Sequence, residues 1–138
     1  MRHARTIRSH GGPGLANRAP DLNTLFAEAA ECLVSAFVED LTTIRPVQSF
    51  EFECQGDDRA LLLFDWLKHL LYRFDAEGLL FSRFEVNVRE GGFTARMGGE
   101  PLDPARHPLT REVKAITYHD LLLEQRDGGW LAEVIVDI

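Results

Sequence analysis

Residues 50–74 read FEFECQGDDRALLLFDWLKHLLYRF, and the period of their apolar residues changes halfway along. Phe50, Phe52 and Cys54 alternate with Glu51 and Glu53, the two-residue period of a half-buried strand. Gly56-Asp57-Asp58 turns the chain and offers a carboxylate to cap a helix. Beyond it Leu63, Phe64, Leu67, Leu70, Leu71 and Phe74 recur at three- and four-residue steps, with Leu61, Leu62 and Trp66 widening the stripe. A helix this apolar is predicted to be wedged between layers rather than to lie on one surface.

The flanks extend the pattern. Asp21 is placed to cap an earlier helix whose stripe runs through Leu22, Leu25, Phe26, Ala29, Leu33 and Phe37, about five turns, closed by Arg45-Pro46. After Gly78, Phe84, Val86 and Val88 alternate with polar residues, and Gly91-Gly92 reads as a hairpin turn into residues 93–97. Segments 113–118, 121–125 and 130–138 are predicted as three further strands, the last two joined across Asp127-Gly128-Gly129. The fold class is α+β: a mostly antiparallel sheet packed against two long helices. One domain over 20–138 is expected, preceded by a basic, glycine-rich segment over 1–19 that holds a tail and a first strand or loop.

Composition narrows the function. The 138 residues carry a net charge of −7. Residues 1–18 hold four arginines and no acid, which leaves 11 basic against 22 acidic residues, or −11, over the rest. An acidic body repels phosphate backbones, so direct sequence-specific nucleic-acid binding is not expected. No apolar run approaches the roughly 18 residues of a membrane span, and nothing reads as a secretory signal. Cys32 and Cys54 form no CxxC, so neither a disulfide scaffold nor a zinc knuckle is indicated. A cytoplasmic protein is the expectation.

No catalytic set emerges from the residues. His107, His119 and Asp120 could suggest a metallohydrolase but show no HExxH-like spacing, and a small metal-dependent hydrolase using Asp103, His107 and Asp137 stands as a third alternative. Ser35, Ser49 and Ser82 lack a nucleophile-elbow context, and Gly91-Gly92 and Gly98-Gly99 read as hairpin and loop glycines without a phosphate-binding lysine.

Several blocks together resemble the archease family: Gln55 to Asp58, Leu62 to Leu67, Leu70 to Phe74, the stretch Glu112-Val113-Lys114-Ala115-Ile116-Thr117-Tyr118-His119, and the ending Val134-Ile135-Val136-Asp137-Ile138. The resemblance covers residues 20–138. It implies a non-enzymatic protein cofactor of the RtcB-type RNA ligase of tRNA splicing and RNA repair, one that promotes the ligase's guanylylation and its turnover. The alternative is a metal-free relative that serves as a general protein-interaction adaptor or chaperone-like module. By the same resemblance Lys114 would assist the ligase. A divalent ion, taken to be calcium, would be held by an Asp of an N-terminal His-Thr-Ala-Asp motif, the penultimate Asp and the main chain of the last residue. Asp137 and Ile138 match two of these positions. Near the third stands Pro13, with His10 near the motif's histidine, and no carboxylate precedes Asp21. Weak calcium binding, if any, is therefore expected, because charged-ligand count sets calcium affinity.

Overall fold

A computed structural model describes residues 5–9, 12–110, 113 and 115–137; for residues 5–9, 12–16, 120 and 137 it describes the backbone alone. The element order is β1 (Arg5–Ser9), β2 (Gly12–Ala19), α1 (Leu22–Val34), a short 3-10 turn (Leu41–Thr43), β3 (Gln48–Gln55), α2 (Arg59–Glu77), β4 (Leu79–Arg89), β5 (Gly92–Pro101), β6 (Ala115–Arg126) and β7 (Gly129–Asp137). Two antiparallel sheets form, one in the order β1-β2-β7-β6 and one in the order β3-β5-β4. Both helices touch strands of both sheets, so they make a layer between them.

Local chemistry explains the boundaries. Asp21 caps α1 by accepting from the Thr24 N–H at 2.8 Å, and Asp58 caps α2 by accepting from Ala60 and Leu61. Gly78 ends α2 in the left-handed region at φ 64°, a conformation that favours glycine. Two expectations are corrected. The first helix stops at Val34, and Phe37 is buried from the turn that follows rather than from a fifth helical turn. The strands expected at 113–118 and 121–125 are one strand, β6, whose register against β7 breaks between Thr117 and Leu122. The break absorbs the slip that looked in sequence like a gap between two strands.

Trp66 sits at the centre of the helical layer with no exposed surface. Its ring stands edge-on to Phe84 of β4 and Phe93 of β5, and Phe52 of β3 stacks beyond it. Its Nε1–H donates to the Phe26 carbonyl of α1 at 2.9 Å, which ties the two helices together across 40 residues of chain. Around it Leu25, Leu33, Leu63, Leu67, Leu70 and Met97 are fully enclosed. The paired glycines of β5 lie in the strand, not in a loop. A Cβ at Gly99 would stand 2.0 Å from the Leu80 carbonyl oxygen, so only glycine lets β5 pass the irregularity of β4 between Phe81 and Arg83. There Ser82 turns its hydroxyl to the Ile44 carbonyl at 2.8 Å and fastens the connection that precedes β3.

Trp66→Phe keeps most of the aromatic volume and removes the donor. It should lower unfolding free energy by about 1–3 kcal/mol, combining an unmade buried hydrogen bond with a small void. Urea denaturation followed by circular dichroism measures it, and an unchanged midpoint would remove the interhelical bond from the list of contributors.

Candidate functional site

Of the positions singled out in the sequence, the structure describes Pro13, near the start of β2, and Asp137, at the end of β7. β7 lies between β2 and β6, with Gly14 opposite Ile135 on one side and Ala115 opposite Asp137 on the other. Arg8 of β1 pairs with Pro13. The start of β2, the start of β6 and the end of β7 therefore share one corner. Lys114, Ile138 and His10 lie outside the described residues. Lys114 precedes Ala115, and Ile138 follows Asp137, so both flank that corner in the chain.

The donor set of the corner does not fit the calcium site that the resemblance implies. A hard cation of that kind takes about six to eight oxygens, with carboxylates supplying the charge. Residues 1–20 contain neither Asp nor Glu, and Gly12-Pro13-Gly14 has no side-chain oxygen to offer. Asp40 is no obvious substitute: its Oδ1 accepts from both the N–H and the hydroxyl of Thr42, at 3.0 and 2.7 Å, and caps the 3-10 turn. Those bonds, the hydroxyl's first, hold its carboxyl below the ordinary value. Among the described residues no three His, Cys, Asp or Glu side chains come together in a way that would hold a metal.

A second cluster escaped the sequence reading. Glu100, at the end of β5, is buried, and four donor groups converge on its carboxylate. Oε1 accepts from the Arg106 guanidinium at 2.8 Å and from that of Arg45 at 3.2 Å. Oε2 accepts from the Arg45 main-chain N–H at 2.8 Å and from His107 Nε2 at 2.9 Å. His107 has no exposed surface, and its Nδ1 accepts the Asp103 N–H at 2.9 Å. That acceptance assigns the ring proton to Nε2, so His107 donates to Glu100. Arg106, foremost, with the Arg45 N–H and His107, holds the Glu100 carboxyl far below the ordinary range despite its burial.

This geometry disposes of the hydrolase reading. Both ring nitrogens of His107 are committed to structural bonds, and Asp103 accepts from the Ala105 N–H in its own turn. Burial, then the neighbouring Asp65, pushes the Cys54 thiol up, away from the reactive thiolate. A surface groove lies elsewhere, on the outer face of the three-stranded sheet, among Glu51, Glu53, Glu85 and Arg96. It is partly self-neutralised by Arg96–Glu51 and Arg89–Glu53 pairs. Among the described residues no helix is long and apolar enough to cross a membrane.

Comparison with known proteins adds an independent line. A sequence model described as Archease protein family (MTH1598/TM1083) matches residues 13–138. The chain is 43% identical over 118 residues to a protein of Methanopyrus kandleri named Protein archease, covering 83% of this chain and 84% of that one. It is 37% identical over 119 residues to the protein of the same name from Pyrococcus furiosus, covering 80% and 84%. The solution structure of protein 1598 of Methanobacterium thermoautotrophicum superposes with a TM-score of 0.86 at 29% identity, over the whole of both chains. A Thermotoga maritima crystal structure, described as an archease and possible chaperone, superposes at 0.65 and 16% identity, over 100% of this chain and 98% of that one, a likeness of fold alone.

The buried carboxylate sets a pH dependence. A carboxyl whose folded value is depressed contributes stability above its unfolded value, and that contribution drains away as pH falls. Stability should therefore decline as pH drops below about 4.5, the ordinary carboxyl value. Glu100→Gln should cost about 3 kcal/mol at pH 7 and flatten the acid limb. Urea denaturation at pH 7 and pH 3 measures both. A parallel acid limb in the variant would move the effect to other carboxylates.

Proposed function

The chain belongs to the archease family, and from that membership we propose that it is a protein cofactor of an RtcB-type RNA ligase, promoting the ligase's guanylylation and turnover in tRNA splicing or RNA repair. The observation that carries the reading is the entry of the Glu112–His119 block into β6. Ala115, the residue after Lys114, pairs with Asp137 at the edge of the four-stranded sheet, where an outside protein has access to the strand. One of only two lysines in the chain thus precedes an edge strand. An ammonium on a flexible stem suits a nucleotide phosphate or a partner carboxylate. An acidic body favours contact with the ligase over contact with the RNA.

In this reading the protein performs no bond-making of its own. The covalent steps belong to the ligase, and the role of this chain is to bind it and present Lys114. No step runs through a calcium ion, since the corner lacks the carboxylate that would complete such a site. The general adaptor reading draws support from Leu61, Tyr72 and Tyr118, large side chains that remain exposed on α2 and β6. Ligation assayed with the host ligase at limiting concentration, with and without this protein, separates the two: stimulation of turnover supports the cofactor, and none supports the adaptor.

Two outcomes are specific to residues of the corner. Lys114→Ala should leave the thermal midpoint unchanged, because truncating a single lysine usually costs little. It should reduce ligase guanylylation several-fold in a radiolabelled GMP-transfer assay, and full activity would return Lys114 to an ordinary strand lysine. Calorimetric titration with calcium should give at most weak binding, about 10⁻⁴–10⁻³ M. Micromolar binding lost in Asp137→Asn would mean that main-chain oxygens of the glycine-rich segment complete the site.

A further inference from the structure

We infer that the buried Glu100–His107 pair is a positioning device for ligase assistance: it fixes the course of the chain that leaves β5, the segment that leads in sequence to Lys114. The inference rests on the reading of Lys114 given above. Between β5 and β6 the described residues, 102–110 and 113, form no helix or strand of their own. A connection of this length is normally a loose surface loop. Here it is fastened at successive points.

At its start the Leu102 N–H donates to the Gly78 carbonyl at 2.7 Å. The Asp103 carbonyl then accepts from the N–H groups of Arg106 and His107, closing a turn that carries the imidazole inward. Glu100 receives that imidazole and the Arg106 guanidinium together. Beyond the ring, the Pro108 carbonyl accepts from the Glu39 N–H at 2.9 Å, and Val38 bridges to Leu109. Thr110 donates its N–H to the Phe37 carbonyl and its hydroxyl to that of Ala36, at 3.0 and 2.6 Å. Val113 is buried in the core, and the chain enters β6 two residues later.

The chemistry of the anchor separates positioning from simple stabilisation. Apolar side chains would hold such a segment at least as well, since desolvating a carboxylate offsets much of what its partners return. Directional bonds to both ring nitrogens add something else, a single orientation for the turn. His107 has no nitrogen left for acid–base work and cannot reach a partner from inside the protein. Its influence on the ligase must pass through the segment that follows it, and Lys114 is seven residues on.

The test pairs His107→Ala with Lys114→Ala in the full chain, with hydrogen exchange and ligase guanylylation as readouts. In His107→Ala, amides of residues 109–116 should exchange faster relative to α2. Maximal stimulation of guanylylation should fall about tenfold, the scale of a misplaced group, while the concentration giving half-maximal stimulation stays put. His107→Gln, which retains an N–H for Glu100, should restore most of the stimulation. In a Lys114→Ala background His107→Ala should cost nothing further, because both act through one side chain. A second, additive loss there, or a defect confined to the half-maximal concentration, overturns the inference. Should His107→Ala fail to fold, Glu100→Gln is subjected to the same comparison. If Lys114→Ala alone keeps full stimulation, the ligase reading fails, whereas the exchange data still judge whether Glu100 and His107 order the segment.

Discussion

A helix with apolar residues on more than one side must find more than one surface to bury them against, and α2 imposes that condition on the whole chain. Leu62, Leu63, Trp66, Leu67, Leu70 and Leu71 are all buried, an arc too wide for a single sheet to cover. The solution is a second sheet. Strands β3, β5 and β4 take one side through Phe52, Phe84 and Phe93, while the sheet containing β6 and β7 takes the other. Once α2 lies between sheets, α1 fills the remaining space and the Trp66–Phe26 bond fixes one helix to the other.

Among the described residues Glu100 and His107 form a buried polar cluster in which the carboxylate and both ring nitrogens are satisfied. Glu100 is out of phase with the inward residues of β5, which are Phe93, Ala95 and Met97. It is buried because two connections fold over that end of the sheet, one through Arg45 and Pro46, the other through Arg106 and His107. A charge so placed gives little net stability against an apolar alternative, but it allows only one arrangement of the two connections. Function and specificity of fold therefore meet at a residue with no chemistry to perform on a substrate.

Much of this was legible in the sequence, for identifiable reasons. Asp21 and Asp58 announced helix starts because capping is local, and alternation through Phe50–Cys54 and Phe84–Val88 announced strands because a half-buried sheet has a period of two. What was not legible depends on partners distant in the chain. Burial of Glu100 could not be foreseen, since alternation assigns it to the outer face and the covering segments lie about six and 55 residues away. The same non-local cover turned His107 from a tempting ligand into a structural donor. β6 read as two strands because the register break at Thr117–Leu122 is a property of its pairing with β7, not of either segment alone. For the corner where Gly14 faces Ile135 and Ala115 faces Asp137, the sequence supplied the residue types and the sheet supplied their adjacency.

That register break has a consequence for the protein at high concentration. β6 is an edge strand of twelve residues in the order β1-β2-β7-β6, and an uninterrupted edge of this length would be a template on which another copy could zip. The irregularity after Thr117 offsets the two halves of β6, so a straight neighbouring strand that pairs with Ala115–Thr117 loses step before it reaches Leu122–Arg126. A shaped segment meeting only one half is not penalised. The edge is thereby open to a selective partner while discouraging runaway self-association, which lets a small, hydrophobic-cored protein accumulate in a crowded solution without growing into fibres.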